Sequence, residues 1–405
     1  MDRSAPASPA DHGTTPFAVG SIPERMGSRA VERVLVSGGA GFIGAELVRS
    51  LQEQGVECTL IDDLSAGSGP RLARLGAAGS PPRCYRLDVS EPGVWQTVLE
   101  QAGPFDAIVH LAGRVGVRRV LSDPEACRAS NVAGVRELVA ALEKIAPAQR
   151  PRVFAASSSE VYADRVGPLR ELSPLRPEDG GGRWAYAASK RTAETVLDAA
   201  RGLWPAGAGP VHLRFFNVIG PGQDARTGMV MPTFVEHALR GEPLPVHGRG
   251  DQVRTFGHVD DVASSLATIV RRGQFPAGAL NLGGRTRTSI LALARAVIAR
   301  LDHARSWGSG VESGRVSFVD PCDRISGSFE EVLTREPDLQ RAVELGISIP
   351  ERSIAELVDD CLARHAALSI GSTAERRALV AAPWLPGPEG THARRGGIAC
   401  ASLGS

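Results

Sequence analysis

The chain has 405 residues, 42% apolar and 22% charged, the make-up of a globular protein with one large or two ordinary domains. A formal net charge of +1 gives no basis for binding nucleic acid or an anionic membrane surface. No apolar run is long enough to span a bilayer, and residues 1–29 lack the apolar core of a signal peptide.

The six cysteines (58, 84, 127, 322, 361 and 400) show no C-x-x-C spacing, so they are expected as reduced thiols in a cytoplasmic protein. The nine histidines show no metal-ligand spacing, so no metal is expected.

Residues 1–28 are rich in Ser, Pro, Ala and Gly without apolar period, and are expected to be disordered. Residues 33–37 read as a buried strand and 43–54 as a helix, with Gly38-Gly39-Ala40-Gly41-Phe42-Ile43-Gly44 between them. Gly39-x-Gly41-x-x-Gly44 fits a dinucleotide fingerprint, and Gly38 adds a second frame. The strand before it and the helix after it are the context that fingerprint needs. The glycines permit a tight turn and let a pyrophosphate sit at the positive helix end. Gly38, Gly41, Phe42, Ile43 and Gly44 are therefore cofactor candidates.

Residues 57–61 form a second strand, ended by Asp62. A carboxylate there accepts from a ribose 2′-hydroxyl and repels a 2′-phosphate, which favours NAD over NADP. Strands follow at 84–87, 107–111, 152–156 and 211–216, and helices at 124–145 and 186–203. Asp88 and Val89 follow the third strand, where an adenine edge would lie. Leu111 and Ala112 end the fourth and leave room for a close cofactor approach.

This alternation implies an α/β fold, a Rossmann-type doubly wound parallel sheet covered on both faces. Beyond residue 217 the alternation breaks. Helices at 231–240, 290–301 and 353–365 would form a smaller lobe over the sheet's carboxyl edge, where ligands bind in such sheets. The expected organisation is an NAD-binding domain over 29–216 and a mainly substrate-binding lobe over 217–368, with segments of that lobe returning to the first domain. A disordered tail would cover 369–405. Trp384 in that tail could dock on the fold, but a loose tail is the expectation.

Two chemistry-bearing segments converge on the same edge. Ser157-Ser158-Ser159-Glu160-Val161-Tyr162 is read as following the fifth strand. Tyr186 and Lys190, four residues apart, share one helical face. A phenol ordinarily keeps its proton to about pH 10, and a neighbouring ammonium is expected to pull that value down. A dinucleotide loop with an activated tyrosine points to redox chemistry on a bound nicotinamide. Ser158 would bond the reacting oxygen.

Three further segments extend the pattern: Tyr186-Ala187-Ala188-Ser189-Lys190, Arg214-Phe215-Phe216-Asn217-Val218-Ile219-Gly220-Pro221 and Arg254-Thr255-Phe256-Gly257-His258-Val259-Asp260-Asp261-Val262. With these, the chain resembles the nucleotide-sugar branch of the extended short-chain dehydrogenase/reductase family over about residues 31–365. The resemblance implies a tightly held NAD, reduced and reoxidised within one turnover as the sugar is transiently oxidised at C4. Tyr186 would be the base. Lys190 would lower its pKa and bond the nicotinamide ribose, and Ser158 would align the oxygen. Asn217 matches the position that bonds the nucleotide sugar. Arg254 would meet phosphate or carboxylate. Apart from the resemblance, guanidinium geometry makes Arg226 a candidate for the diphosphate, with a solvated loop arginine as the alternative.

Ser159-Glu160 is similar to the UDP-glucuronate decarboxylases, which carry Thr-Ser-Glu. Their reaction yields UDP-xylose, with Glu160 holding the ring or managing a proton. UDP-sugar 4-epimerisation is the alternative, followed by dehydration or a non-catalytic NAD-binding module. Ser37, Ala163 and Arg114 depart from the branch's pattern, and Arg114 could reshape the sugar pocket. The resemblance also implies a homodimer through helices 124–145 and 186–203.

Overall fold

The computed structural model describes residues 31–66, 71, 75, 81–163, 167–273, 275–305, 316–320, 332–369 and 384–385. In chain order the strands are β1 (Arg33–Ser37), β2 (Glu57–Ile61), β3 (Arg83–Tyr85), β4 (Ala107–His110), β5 (Arg152–Ser158), β6 (Val211–Phe215) and β7 (Val218–Ile219). Then come β8 (Leu244–His247), β9 (Val253–His258), β10 (Gly278–Leu282), β11 (Thr286–Ser289), β12 (Val316–Val319), β13 (Thr334–Arg335) and β14 (Trp384–Leu385). The helices are α1 (Phe42–Glu53), α2 (Val94–Ala102), α3 (Val117–Ser122), α4 (Pro124–Glu143) and α5 (Ala185–Ala199). They continue as α6 (Val230–Arg240), α7 (Val259–Arg271), α8 (Ile290–Arg305), α9 (Gln340–Glu344) and α10 (Ile354–Ser369).

One parallel sheet runs in the order β10-β6-β5-β4-β1-β2-β3-β14. The chain winds outward from β1 through β2 to β3, then from β4 through β5 and β6 to β10. The winding reverses between β1 and β4, and that reversal opens a crevice at the carboxyl ends of the strands. β1 shows why both faces are covered. Val34 and Val36 join the core under α1 and α7, with Leu47, Leu51 and Leu266. Leu35, pointing the other way, joins Trp95, Leu138 and Leu197 under α2, α4 and α5.

α4 starts where Asp123 Oδ1 accepts from Ala126 N at 2.9 Å and Pro124 takes the first helical position. The lobe has its own core around Phe234, Leu244, Phe256 and Leu293. Its strands are short: β9 carries β7, β11 and β13, and β8 pairs with β12.

Several boundaries differ from the sequence reading. Ser157 and Ser158 are the last residues of β5, because they go on pairing with Arg214 and Phe215 of β6. β3 stops at Tyr85, where its pairing with Ile61 ends. α2, α7 and β10 were not expected, and β10 and α7 bring the second half of the chain back to the first. In the expected loose tail, Trp384–Leu385 pair in parallel with Cys84 and Tyr85 on the edge of the sheet. The expected disordered segment 1–28 and the rest of 370–405 lie outside the described residues.

Cys58, Cys84, Cys127 and Cys361 are buried and free; Cys322 and Cys400 lie outside the described residues. Among the described residues no helix is long and apolar enough to cross a membrane.

Candidate active site

A cavity of about 860 Å³ lies over the carboxyl edge, walled by the sheet on one side and the lobe on the other. Gly38, Gly41, Phe42, Ile43 and Gly44 line it. Gly38 has φ +71°, and a Cβ there would fall 2.7 Å from Ala112 N. A Cβ on Gly44 would fall 2.1 Å from Gly38 O, so the loop and the start of α1 touch backbone to backbone. That close packing brings the N-terminus of α1 to the cavity, a cradle that fits a pyrophosphate.

Asp62 is buried at the end of β2 and accepts from Ala40 N (2.9 Å) and Leu64 N (2.8 Å). Burial raises its pKa against the pull of those two bonds. The carboxylate therefore also pins the glycine loop, a task the sequence did not reveal. Arg71 reaches the same region and donates to Gly222 O at 3.0 Å, tying the loop to the lobe.

Asp88 and Val89 line the cavity, with Asp88 Oδ1 accepting from Ser90 N (2.9 Å) and Ser90 Oγ (2.7 Å). Leu111 and Ala112 line it beside the loop, and Leu111 N donates to Ser37 O at 3.0 Å. Ser37 Oγ lies 2.7 Å from His110 Nδ1. Burial and the nearby Lys190 charge push that imidazole down to about 3, so it is neutral at pH 7.

Ser158 ends β5, Tyr186 lies in the first turn of α5, and Lys190 lies one turn further. Ser158 hydrogen-bonds the Tyr186 phenol, and its Oγ also accepts from Glu160 N at 3.2 Å. Lys190 Nζ donates to Ala156 O at 2.9 Å and lies 5.9 Å from the centroid of the Tyr186 ring. Burial pushes Lys190 down to about 8, with Cys127 and Glu194 opposing.

One expectation is corrected here. In the protein alone the phenol of Tyr186 is raised, by burial first and the Glu160 charge second, against the Ser158 bond. The ammonium does not bring it down, because Lys190 is turned to a backbone carbonyl.

Ser159 and Glu160 form a 3₁₀ turn at the cavity wall. Glu160 Oε1 accepts from Arg335 Nη1 at 3.2 Å. Arg335 is buried and comes from β13, beside Arg254 on β9. Arg254 and Asn217 both line the cavity, and Asn217 Nδ2 donates to Thr255 O at 3.2 Å.

Arg226 is a second correction. It lies outside the cavity lining, with its side chain 78% exposed and its Nη2 2.8 Å from Asp224 Oδ2. Asp224 also accepts from Arg226 N, so the side chain curls back on the carboxylate that caps its own turn.

Sequence reasoning missed Arg335, Arg71 and Asn131. Asn131 Oδ1 accepts from Arg114 N at 2.7 Å, and its Nδ2 donates to Ser189 Oγ at 3.0 Å, which fixes the strand-end loop against α5. The four-residue spacing that exposed Tyr186 and Lys190 had no counterpart for Arg335, which sits on a two-residue strand.

A doubly wound sheet, a glycine cradle and a Ser-Tyr-Lys set at the carboxyl edge define a dinucleotide-dependent enzyme of the extended short-chain dehydrogenase/reductase type. Residues 34–283 match the NAD dependent epimerase/dehydratase family, and the chain belongs to that family.

The chain is 31% identical over 329 residues to UDP-glucuronic acid decarboxylase 1 of Arabidopsis thaliana, covering 80% of this chain and 67% of that relative. It is 30% identical over 321 residues to UDP-N-acetyl-alpha-D-glucosaminuronate decarboxylase of Bacillus cytotoxicus, covering 78% of this chain and 91% of that relative. The solved UDP-glucuronic acid 4-epimerase of Bacillus cereus, in complex with UDP-glucuronic acid and NAD, shares the fold. Its TM-score is 0.68 at 22% identity, covering 83% of this chain and 99% of that one.

Proposed function

We propose that the chain is a UDP-glucuronate decarboxylase that works through transient oxidation at sugar C4 and releases a UDP-pentose. The observation that carries this reading is Glu160, held at the cavity wall by the buried Arg335 beside Ser158 and Tyr186. The named decarboxylases among its relatives support it.

The loop Gly38 to Gly44, Asp62, Asp88, Val89, Leu111 and Ala112 would hold NAD, with Asp62 selecting against a 2′-phosphate. NAD when bound would supply the hydride acceptor and a positive ring beside Tyr186. With that positive ring bringing the phenol down, Tyr186 as the phenolate would take the proton of the C4 hydroxyl, and Ser158 would hold the same oxygen; positioned proton transfer of this kind contributes about 10²–10⁴-fold. Lys190 carries its charge below about pH 8 and would bond the cofactor ribose. A sugar with a ketone at C4 has its C6 carboxylate β to a carbonyl, and carbon dioxide leaves readily. Arg335 and Arg254 give that carboxylate and the diphosphate their cations, since guanidinium suits both geometries. Glu160 manages the proton at the carbon left behind.

Incubation with UDP-glucuronate tests the reading: carbon dioxide release with a UDP-pentose product supports it. A C4-inverted product without carbon dioxide would replace it with epimerisation, and no product from any nucleotide sugar would leave an NAD-binding module. On the same footing we infer a homodimer through α4 and α5, which light scattering would report as twice the chain mass.

A further inference from the structure

Behind the Tyr186–Lys190 pair lies a buried charged cluster that takes no direct part in the reaction above. Glu194 stands on α5, one turn beyond Lys190. Its carboxylate and the guanidinium of Arg214 on β6 are almost fully buried. Arg214 donates to it through Nε at 2.8 Å and Nη2 at 2.7 Å. Ser157 Oγ donates to the same carboxylate at 2.6 Å. Arg191, on the same helix, approaches it at 3.6 Å. Burial opposes the charge on Glu194, and the bonds from Arg214 outweigh it, so the carboxyl stays below its usual range.

The pattern of ties is regular. Ala156, Ser157 and Ser158 are consecutive at the end of β5 and bond Lys190, Glu194 and Tyr186 of α5 respectively. α5 has no side-chain cap at its start. A buried ion pair is often no more stabilising than apolar side chains of the same volume. Its presence at this spot is better explained by what it orients.

We propose that Ser157 and Arg214, acting through Glu194, are positioning residues that fix the rotation of α5 against β5 and so hold Tyr186 against Ser158. The proposal rests on the roles given to Tyr186 and Ser158 above.

Ser157→Ala removes one bond and leaves the ion pair in place. The expected result is a kcat lowered at least about tenfold with KM for UDP-glucuronate within about twofold, since small misplacements of reacting groups cost rate rather than binding. Bound NAD should be unchanged, and Ser157→Thr, which keeps the hydroxyl, should restore most of the rate. A second readout needs no turnover: with NAD loaded, so that its positive ring brings the Tyr186 phenol down, that phenol titrates by ultraviolet difference absorbance, with Tyr186→Phe as blank. Ser157→Ala should move that titration upward, and Ser157→Thr should leave it in place.

A kcat within about twofold of the parent, or a loss matched by loss of NAD, would overturn the proposal. So would an unmoved titration. If Ser157→Ala does not fold, Arg214→Lys keeps the charge and loses the two-pronged grip; it should show the same kcat loss and upward titration, and an unchanged kcat there overturns the clamp. A parent chain that turns over no sugar nucleotide would sink the proposed reaction and still leave the titration to decide this one.

Discussion

The wall of the cavity that comes from the sheet and the wall that comes from the lobe hold their polar groups by different means. On the sheet side each group is fixed by a neighbour on the sheet or on the loops at its carboxyl edge: Asp62 by Ala40 and Leu64, Ser37 by His110, and Lys190 by Ala156. On the lobe side the carriers are short, with β7 and β13 only two residues each. There Arg335 reaches across to Glu160 at the edge of the sheet. The sheet wall is therefore preorganised chemistry, the kind of fixed dipole and charge that stabilises a transition state without reorganising. On the proposed function, the lobe wall adds the charge that meets the sugar nucleotide.

The contrast is broken most severely at Tyr186. Tyr186→Phe should lower turnover by about 10²–10⁴-fold while leaving NAD bound, because only the proton-transfer group is lost. Rate measurement and cofactor extraction together check it; near-parent turnover would remove Tyr186 from its role.

From the other wall, Arg335→Ala should lower kcat/KM for UDP-glucuronate by about 10²-fold, the scale for losing one fixed charge from a site. It should also cost about 2 kcal/mol of stability by leaving Glu160 without its charge-assisted bond, readable in chemical denaturation. Equal activity in the variant would place the substrate carboxylate elsewhere.

Gly44→Ala probes the cradle. The added Cβ would meet Gly38 O at 2.1 Å, and both partners are backbone, so neither can yield cheaply. Overpacking of this kind costs about 1–3 kcal/mol, which corresponds to NAD binding about 10–100-fold weaker. Cofactor titration would show it, with Tyr186 chemistry recovering at saturating NAD.

The pH dependence follows from Lys190. Its ammonium is lost as pH rises through about 8, so kcat/KM should fall above that value, and Lys190→Arg should move the fall well upward. The stability sign is opposite. Between about 8 and the ordinary lysine value of about 10.4 the unfolded chain holds more protons than the folded one, so stability from this group rises with pH.

The sheet wall was also the legible one. β1 and β2 were bounded correctly from their apolar runs, and Gly38 to Gly44 and Tyr186 to Lys190 could be read because each motif lies within one or two turns of local structure. Ser157 and Ser158 were placed after β5 because nothing local says that pairing with β6 continues through them. α7 was missed although its start carries a signal, since His258 caps it by accepting from Asp260 N. Arg335 could not be separated by sequence from any solvated arginine. Its burial is set by a parallel pairing with a strand about 80 residues earlier, and pairings of that range leave no periodic trace. The same gap placed Arg226 in the site and overlooked Arg335.

That exchange of arginines supplies the smallest predicted effect. Arg226 is mostly exposed and bonds only a carboxylate two residues away, an arrangement worth little against solvent screening. Arg226→Ala should leave kcat and KM within about twofold of the parent and stability within about 0.5 kcal/mol. Run beside Arg335→Ala in one assay, it tests whether the lobe acts through a single buried cation or through its surface charge. If Arg226→Ala raised KM for the sugar nucleotide at low salt, and added salt abolished the difference, the exposed arginine would be steering the anionic substrate into the cavity. The lobe wall would then be a charged funnel rather than a single fixed contact.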